Sequence, residues 1–328
     1  MLRASGAVRV PSGVRAFAAL PVARIAHDDE RMRYDAIIVG GGPAGLSAAL
    51  QLGRARKRVL LCDVTPARNA RAEHVHGLMT RDGTPPAELR AIGRAQLAQY
   101  DVEIRDGVRV TRIDGELDAF RATLADGSTV DARRVVLCNG MIDEIPELPG
   151  MRELWGRSVF QCPYCHGWEI QDRAFAALLA GPEWAIFGAF LRGWSKDVIA
   201  FTDARFEVPS DMRERLERAN VRIEERRIRA LVGEGDRLVA IELEDGTRVA
   251  RDALFMKPPQ RQTELVTQLD LALDDHGYVR VDPEGRTSVP GIFAAGDLTT
   301  MQQSAILGAA AGARAAYALN HELTLSTY

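Results

Sequence analysis

The 328-residue chain has little of several things, and each scarcity removes a class of protein. No apolar run reaches the roughly 18 to 20 residues that a membrane span needs. Charge of neither sign prevails. The 42 Lys and Arg stand against 45 Asp and Glu, leaving a net charge of −3 without the basic face that nucleic acid requires. Cysteine is sparse, with four residues in the chain, too few for the disulfide framework of a small secreted domain. Aromatics make up only 6%, while the apolar fraction is 46%, which suits an α/β enzyme. The length is enough for two domains, each with its own core. No tandem repeat of solenoid period is present. The expectation is a protein without a membrane or nucleic-acid partner.

The segment from Met1 to Ala26 is rich in Arg, Ala and Val and has no acidic residue. That composition is similar to an organellar transit peptide. The plainer reading is a disordered leader over residues 1–33, or a true start at Met32.

Strand and helix patterns then alternate. Tyr34 to Val39 reads as a strand, Gly45 to Ala55 as a helix and Arg58 to Cys62 as the next strand, a β-α-β unit. Pro85 to Tyr100 is helical. Val102 to Val130 holds three short strand patterns with turns at Asp114-Gly115 and Asp126-Gly127, and Arg134 to Leu137 is a further strand. The stretch Ile145 to Gly150 carries two prolines and a glycine and reads as a linker. A second β-α-β pattern follows, with Phe175 to Leu179, a helix through Arg192, and Val198 to Phe201. Asp211 to Ala219 is helical, and strands resume at Val221 to Glu225, Leu238 to Leu243 and Ala253 to Met256. Near Ala272 to His276 the chain leaves this unit. Val279 to Val281 and Ile292 to Ala295 read as strands of the first domain, and the last helix runs from about Gln303 to Asn320.

Gly40-Gly41-Gly42-Pro43-Ala44-Gly45 fits GxGxxG between a strand and a helix, which is the context that makes it a dinucleotide motif. Gly40 permits the tight turn, Gly42 lets backbone approach a pyrophosphate, and Gly45 allows close helix–strand packing. The start of the helix, at Pro43 and Ala44, favours an anion. Asp63 ends the next strand, where a carboxylate accepts from ribose hydroxyls.

Cys162-Pro163-Tyr164-Cys165-His166-Gly167 carries the sharpest chemistry. Two cysteines at i and i+3 form a small-loop disulfide and tend to lower the pKa of one thiol. Thiol–disulfide exchange needs an attacking thiolate, an accessible sulfur and a good leaving thiol, and such a pair offers all three. The alternatives are half of a zinc site, which lacks a second CxxC, and two unreactive thiols. An imidazole ordinarily titrates near neutrality, so His166 suits removing a proton from an incoming thiol, or else only hydrogen-bonds at a helix start. His74 and His76 read as structural. Cys62 and Cys138 sit in strand-like runs and read as inert.

Together with Thr287 to Asp297, a strand running into Gly296-Asp297, and Val135 to Gly140, these motifs give a chain that resembles the low-molecular-weight thioredoxin reductases over about residues 34–320. Cys138-Asn139-Gly140 departs from the usual Ala-Thr-Gly but keeps its glycine. The resemblance implies an α/β fold of two Rossmann-like, doubly wound, three-layer domains of the pyridine nucleotide-disulfide oxidoreductase type. Residues 34–146 plus 273–328 would bind FAD, and residues 147–272 would form an inserted NAD(P)-binding-like domain carrying the CxxC. It implies FAD as cofactor, held by Gly40, Gly42, Pro43, Ala44, Gly45, Asp63, Asn69, Gly140, Gly296, Asp297, Gln303 and Ser304. It also implies Cys165 as the flavin-facing thiolate, Cys162 as the substrate-facing nucleophile, a homodimer and a cytoplasmic enzyme.

One motif is missing. The family loop GxGxxA is replaced by Ala180-Gly181-Pro182-Glu183-Trp184-Ala185, and the basic cluster after the next strand by Thr202-Asp203-Ala204-Arg205. Proline removes a donor and blocks close approach, and the carboxylates repel phosphate. NADPH binding should be weak or absent. The Cys-Pro-Tyr-Cys-His-Gly run is similar to that of the thioredoxin-reductase-like dithiol oxidases, which close disulfides in gliotoxin, holomycin and romidepsin, and most of all to the romidepsin type. That implies a small dithiol and O2 as partners. Tyr164, Trp168 and Trp184 are expected to wall its site. The alternatives are an NAD(P)H-dependent thioredoxin reductase-like enzyme and a flavin-binding sensor or scaffold.

Overall fold

The computed structural model describes residues 33–326, so the expectations for the leader lie outside the described residues. The strand Tyr34–Val39 is buried along almost its whole length, as a parallel strand covered on both faces must be. It pairs in parallel with Val59–Asp63 on one side and Thr129–Leu137 on the other, and Val102–Asp106 extends the sheet beyond Val59–Asp63. Ile292–Ala294 pairs in parallel with the last residues of Thr129–Leu137, and Phe120–Leu124 pairs antiparallel with its first residues. Val110–Asp114 closes that edge as a hairpin with Phe120–Leu124.

A second sheet is parallel throughout, in the order Arg222–Glu224, Asp197–Phe201, Ala174–Leu178, Ala253–Met256 and Val159–Phe160. Ile228–Glu234, Arg237–Leu243 and Arg248–Ala250 form a separate antiparallel sheet. On either side of both in sequence, Ile142–Asp143 pairs antiparallel with Gln260–Arg261.

The helix Pro43–Arg54 starts with proline in its first turn, where a missing N–H costs nothing. Its buried face of small residues, Ala44, Ala48 and Ala49, packs on the last helix, Ala305–Leu325, which buries Gly308, Gly312, Ala315 and Ala316. A Cβ on Gly312 would collide with the carbonyl oxygen of Ala44, so this crossing is too close for any larger residue. That contact fixes the start of the first helix. The carboxyl ends of Tyr34–Val39, Val59–Asp63, Thr129–Leu137 and Ile292–Ala294 all open toward it, the usual ligand position of an open α/β sheet.

The structure departs from the sequence reading in four places. Val279 to Val281 is not a strand; Val279 makes one isolated bridge to Leu273, because turns at Gly277 and Gly285 leave no room for a ladder. The strand patterns at Val130 and at Arg134 to Leu137 are one strand, Thr129–Leu137. The helix expected to reach Arg192 is broken into Ile186–Phe190 between two 3-10 turns, Pro182–Trp184 and Leu191–Gly193. The strands Ile228–Glu234 and Arg248–Ala250 were not legible, since half-exposed hairpin strands lack a long apolar run. Among the described residues no helix is long and apolar enough to cross a membrane.

Candidate active site

A cavity of about 650 Å³ lies at the carboxyl ends of the first sheet. The glycine loop lines it at Gly40, Gly42, Pro43 and Ala44, and Asp63 and Asn69 line it from the loop after the second strand. Gly140, Gly296, Asp297, Gln303 and Ser304 complete that wall, while Cys162, Cys165 and His166 line it as well. The structure therefore brings every sequence-predicted site residue to one cavity except Gly45, whose part is structural. A Cβ on Gly45 would collide with the Gly40 carbonyl oxygen.

The cavity fits a dinucleotide. Gly40 holds φ at +105°, which an L side chain rarely adopts, and a Cβ there would strike the Cys138 carbonyl. Gly42 faces open space, and as N-cap it has no side chain to satisfy the first N–H groups of the helix, so they are free for a phosphate. The buried Asn139 Oδ1 has no partner in the protein, although its Nδ2 donates to Thr263 Oγ1 at 2.7 Å.

Asp63 has more partners than its motif announces. Its Oδ1 accepts from Gly41 N at 2.9 Å and Val64 N at 3.0 Å, and its Oδ2 meets Arg94 at 2.6 Å and also Arg90. Both arginines come from Pro86–Leu97, and no spacing rule would have linked them to Asp63. Ser304 caps the last helix by accepting from Leu307 N at 3.3 Å. Gln303 and Asp297 join a cluster around Arg68, which sequence reasoning also missed.

The cysteines are placed by the strand Val159–Phe160, which delivers Gln161 and Cys162 to the cavity, and by the short helix Pro163–His166. Both are free thiols, with their sulfurs 2.8 Å apart. Cys165 donates its proton to the Cys162 sulfur. That bond, with the N–H groups of Cys165 and Tyr164, draws Cys162 down to about 7 despite burial. The same bond retains the proton on Cys165 and pushes that thiol up, with burial adding to the effect. Cys162 is thus the thiolate of the pair near neutral pH.

His166 stacks on Phe160 with ring centroids 4.3 Å apart, and neither of its ring nitrogens has a hydrogen-bond partner. Burial pushes the imidazole down from its ordinary value, against the pull of the Glu169 carboxylate. Burial thus favours the neutral imidazole, which lies in the wall of the cavity beside the sulfurs. His76 bridges Asp82 at 3.5 Å and Glu169 at 3.4 Å, tying its loop to the segment after the cysteines. Among the described residues, no group of three or more His, Cys, Asp or Glu is arranged to hold a metal ion.

Tyr164, Trp168 and Trp184 lie outside the dinucleotide cavity, which Trp155 and Phe160 line instead. Tyr164 points outward onto Phe190 and Trp194, and Trp184 carries the Lys257 ammonium 5.3 Å from its ring centre. In the second loop, Glu183 folds back so that a Cβ on Gly181 would stand 2.6 Å from its carboxylate.

Residues 34–316 match the family of pyridine nucleotide-disulphide oxidoreductases. The chain is 34% identical to the thioredoxin reductase tcpT of Claviceps purpurea, over 80% of this chain and 86% of that protein. It is 32% identical to the thioredoxin reductase aclD of Aspergillus oryzae, over 88% and 96%. The crystal structure of HlmI superposes with a TM-score of 0.84 at 37% identity, covering 92% of this chain and 94% of that one.

Proposed function

Since the chain belongs to the pyridine nucleotide-disulphide oxidoreductases and takes FAD as its thioredoxin reductase-like relatives do, we propose that it oxidises a small dithiol to an intramolecular disulfide with O2 as acceptor and without NADPH. The dithiol is a natural product of the romidepsin-like depsipeptide class, and the enzyme works as a cytoplasmic homodimer. The observation that carries the reading is the pair Cys162 and Cys165 on the wall of the dinucleotide cavity, beside an unpartnered neutral His166.

The chemistry follows from the groups. His166 takes the proton of an incoming substrate thiol. The resulting thiolate attacks the Cys162 sulfur of the oxidised pair, and Cys165 leaves with the electron pair of the broken bond. With that proton passed on to Cys165, His166 takes the proton of the second substrate thiol, whose thiolate attacks the first substrate sulfur and expels Cys162. Cys162 is a good leaving group because the Cys165 thiol, helped by the N–H groups of Cys165 and Tyr164, stabilises its thiolate. FAD supplies the two-electron acceptor that returns the pair to its disulfide. The net reaction is dithiol plus O2 to disulfide plus hydrogen peroxide, with two electrons and two protons transferred.

The second loop supports the absence of NADPH. Pro182 removes a donor, Glu183 sets a carboxylate against Gly181, and Asp203 already pairs with Arg205. The names of the relatives, both thioredoxin reductases, favour one other reading, an NAD(P)H-dependent disulfide reductase. Rapid mixing of the flavoprotein separates the two. Bleaching of the flavin by a dithiol, with oxygen uptake and peroxide release, supports the oxidase. Bleaching by NADPH and none by dithiol overturns it.

A further inference from the structure

Arg68 lies in the loop after the second strand and spends its donors on four side chains from three distant segments. Its Nε and Nη2 grip both oxygens of Asp143 at 2.7 and 2.6 Å, a two-point fork that only a guanidinium offers. Nη1 reaches Asp297 Oδ2 and Gln303 Oε1, both at 2.8 Å. Nη2 also reaches Gln161 Oε1 at 3.1 Å, and Gln161 is the residue before Cys162. Asp143 belongs to the short strand that pairs with Gln260–Arg261. Gln260 closes the network, donating to Asp143 at 2.8 Å and accepting from Gln303 at 2.9 Å and from Tyr278 at 3.0 Å.

One guanidinium therefore joins the peptide that carries the substrate-facing sulfur to the carboxylate that follows Gly296. We propose that Arg68 is a positioning residue that sets the Cys162–Cys165 pair against the flavin end of the cavity by clamping Gln161 to Asp297 and Asp143. This deepens the dithiol oxidase reading and rests on it for the identity of the reaction. The physical reason is distance. Transfer between positioned groups tolerates little error, and a displacement of about 1 Å costs on the order of 100-fold in rate. Gln161 Oε1 and Asp297 Oδ2 are both acceptors, so what joins these two oxygens is the arginine that donates to each. A lysine in its place keeps the charge but has no fork.

The test uses the flavin-loaded enzyme and two readouts, hydrogen exchange of the backbone over residues 160–162 and single-turnover bleaching by a small dithiol such as dithiothreitol. In Arg68→Met, exchange at 160–162 rises and bleaching slows by about 10- to 100-fold, while half-saturation by dithiol stays within about 2-fold, as expected when geometry rather than binding is lost. Arg68→Lys recovers neither readout fully. Should Arg68→Met lose its flavin, Gln161→Leu decides, because it cuts only the link to the sulfur peptide; the same rise in exchange and a slower bleaching are expected. Unchanged exchange and bleaching in these variants, or full recovery by lysine, overturns the proposal. A wild-type enzyme whose flavin no dithiol bleaches sinks the oxidase reading instead, and leaves the exchange result to judge the clamp.

Discussion

The carboxylate of Asp203 holds the guanidinium of Arg205 at 2.8 Å, while its other oxygen accepts from the backbone of Ile228 at 2.7 Å. Arg205, the one arginine in the turn after the second strand of the second β-α-β unit, is thus already paired, and on our reading of this loop it is the cation a 2′-phosphate would need. Asp203→Asn keeps an oxygen for Ile228 and releases Arg205. We expect the variant to bind 2′,5′-ADP about 5-fold more tightly than the wild type, the scale of one partly exposed ion pair. Calorimetry checks it; tight binding by the wild type contradicts the reading of this loop.

Cys162→Ser should keep its yellow flavin and lose dithiol oxidation by at least about 1000-fold, because serine cannot form the mixed disulfide. An oxygen electrode measures it. Turnover persisting in that variant would remove Cys162 from its role.

The pH dependence of the thiols follows from their directions. A lowered pKa means that Cys162 is deprotonated at lower pH than a free cysteine, at about 7. Alkylation of the reduced enzyme by iodoacetamide should rise through that midpoint, with Cys162 modified first, and Cys165 should stay protonated in the same window because its thiol is pushed up. Peptide mass mapping at several pH values reads both. Preferential labelling of Cys165 near pH 7 runs against the assignment.

His166→Gln removes the base without adding a charge. Turnover with a dithiol should fall by about 100-fold, within the usual range for general base catalysis. Since burial pushes His166 down, the acid limb of the wild type should lie at lower pH than an ordinary histidine would give. The acid limb of its pH–rate profile should vanish in the variant, and survival of that limb would point to another base.

Asp297→Ala withdraws one partner from Arg68 and a carboxylate from the cavity wall. Flavin content per chain, read from the visible spectrum of purified protein, should drop well below that of the wild type. Equal content takes Asp297 out of the cofactor site.

Much of this was legible in linear order. The strand–glycine–helix run at Tyr34 to Arg54 and the buried strand at Val135 to Leu137 are local patterns whose physics acts over a few residues. The same holds for the cysteine pair, because i and i+3 bring two sulfurs together in any short helical turn. The two hairpin strands at 228–234 and 248–250 were not legible, since their partly exposed pattern resembles a loop.

The amino-acid order alone pointed to the family, the cofactor and the cysteine pair, because each motif is written in a short run of neighbouring residues. Folding alone decided that Arg90 and Arg94 neutralise Asp63, that Tyr164 and Trp168 turn away from the cavity, and that Arg68 grips Gln161, Asp143 and Asp297 together. Those partners come from separate loops and helices, and a meeting between distant segments leaves no period or spacing in the chain. Their side chains acquire roles only when the sheets bring them within hydrogen-bonding reach.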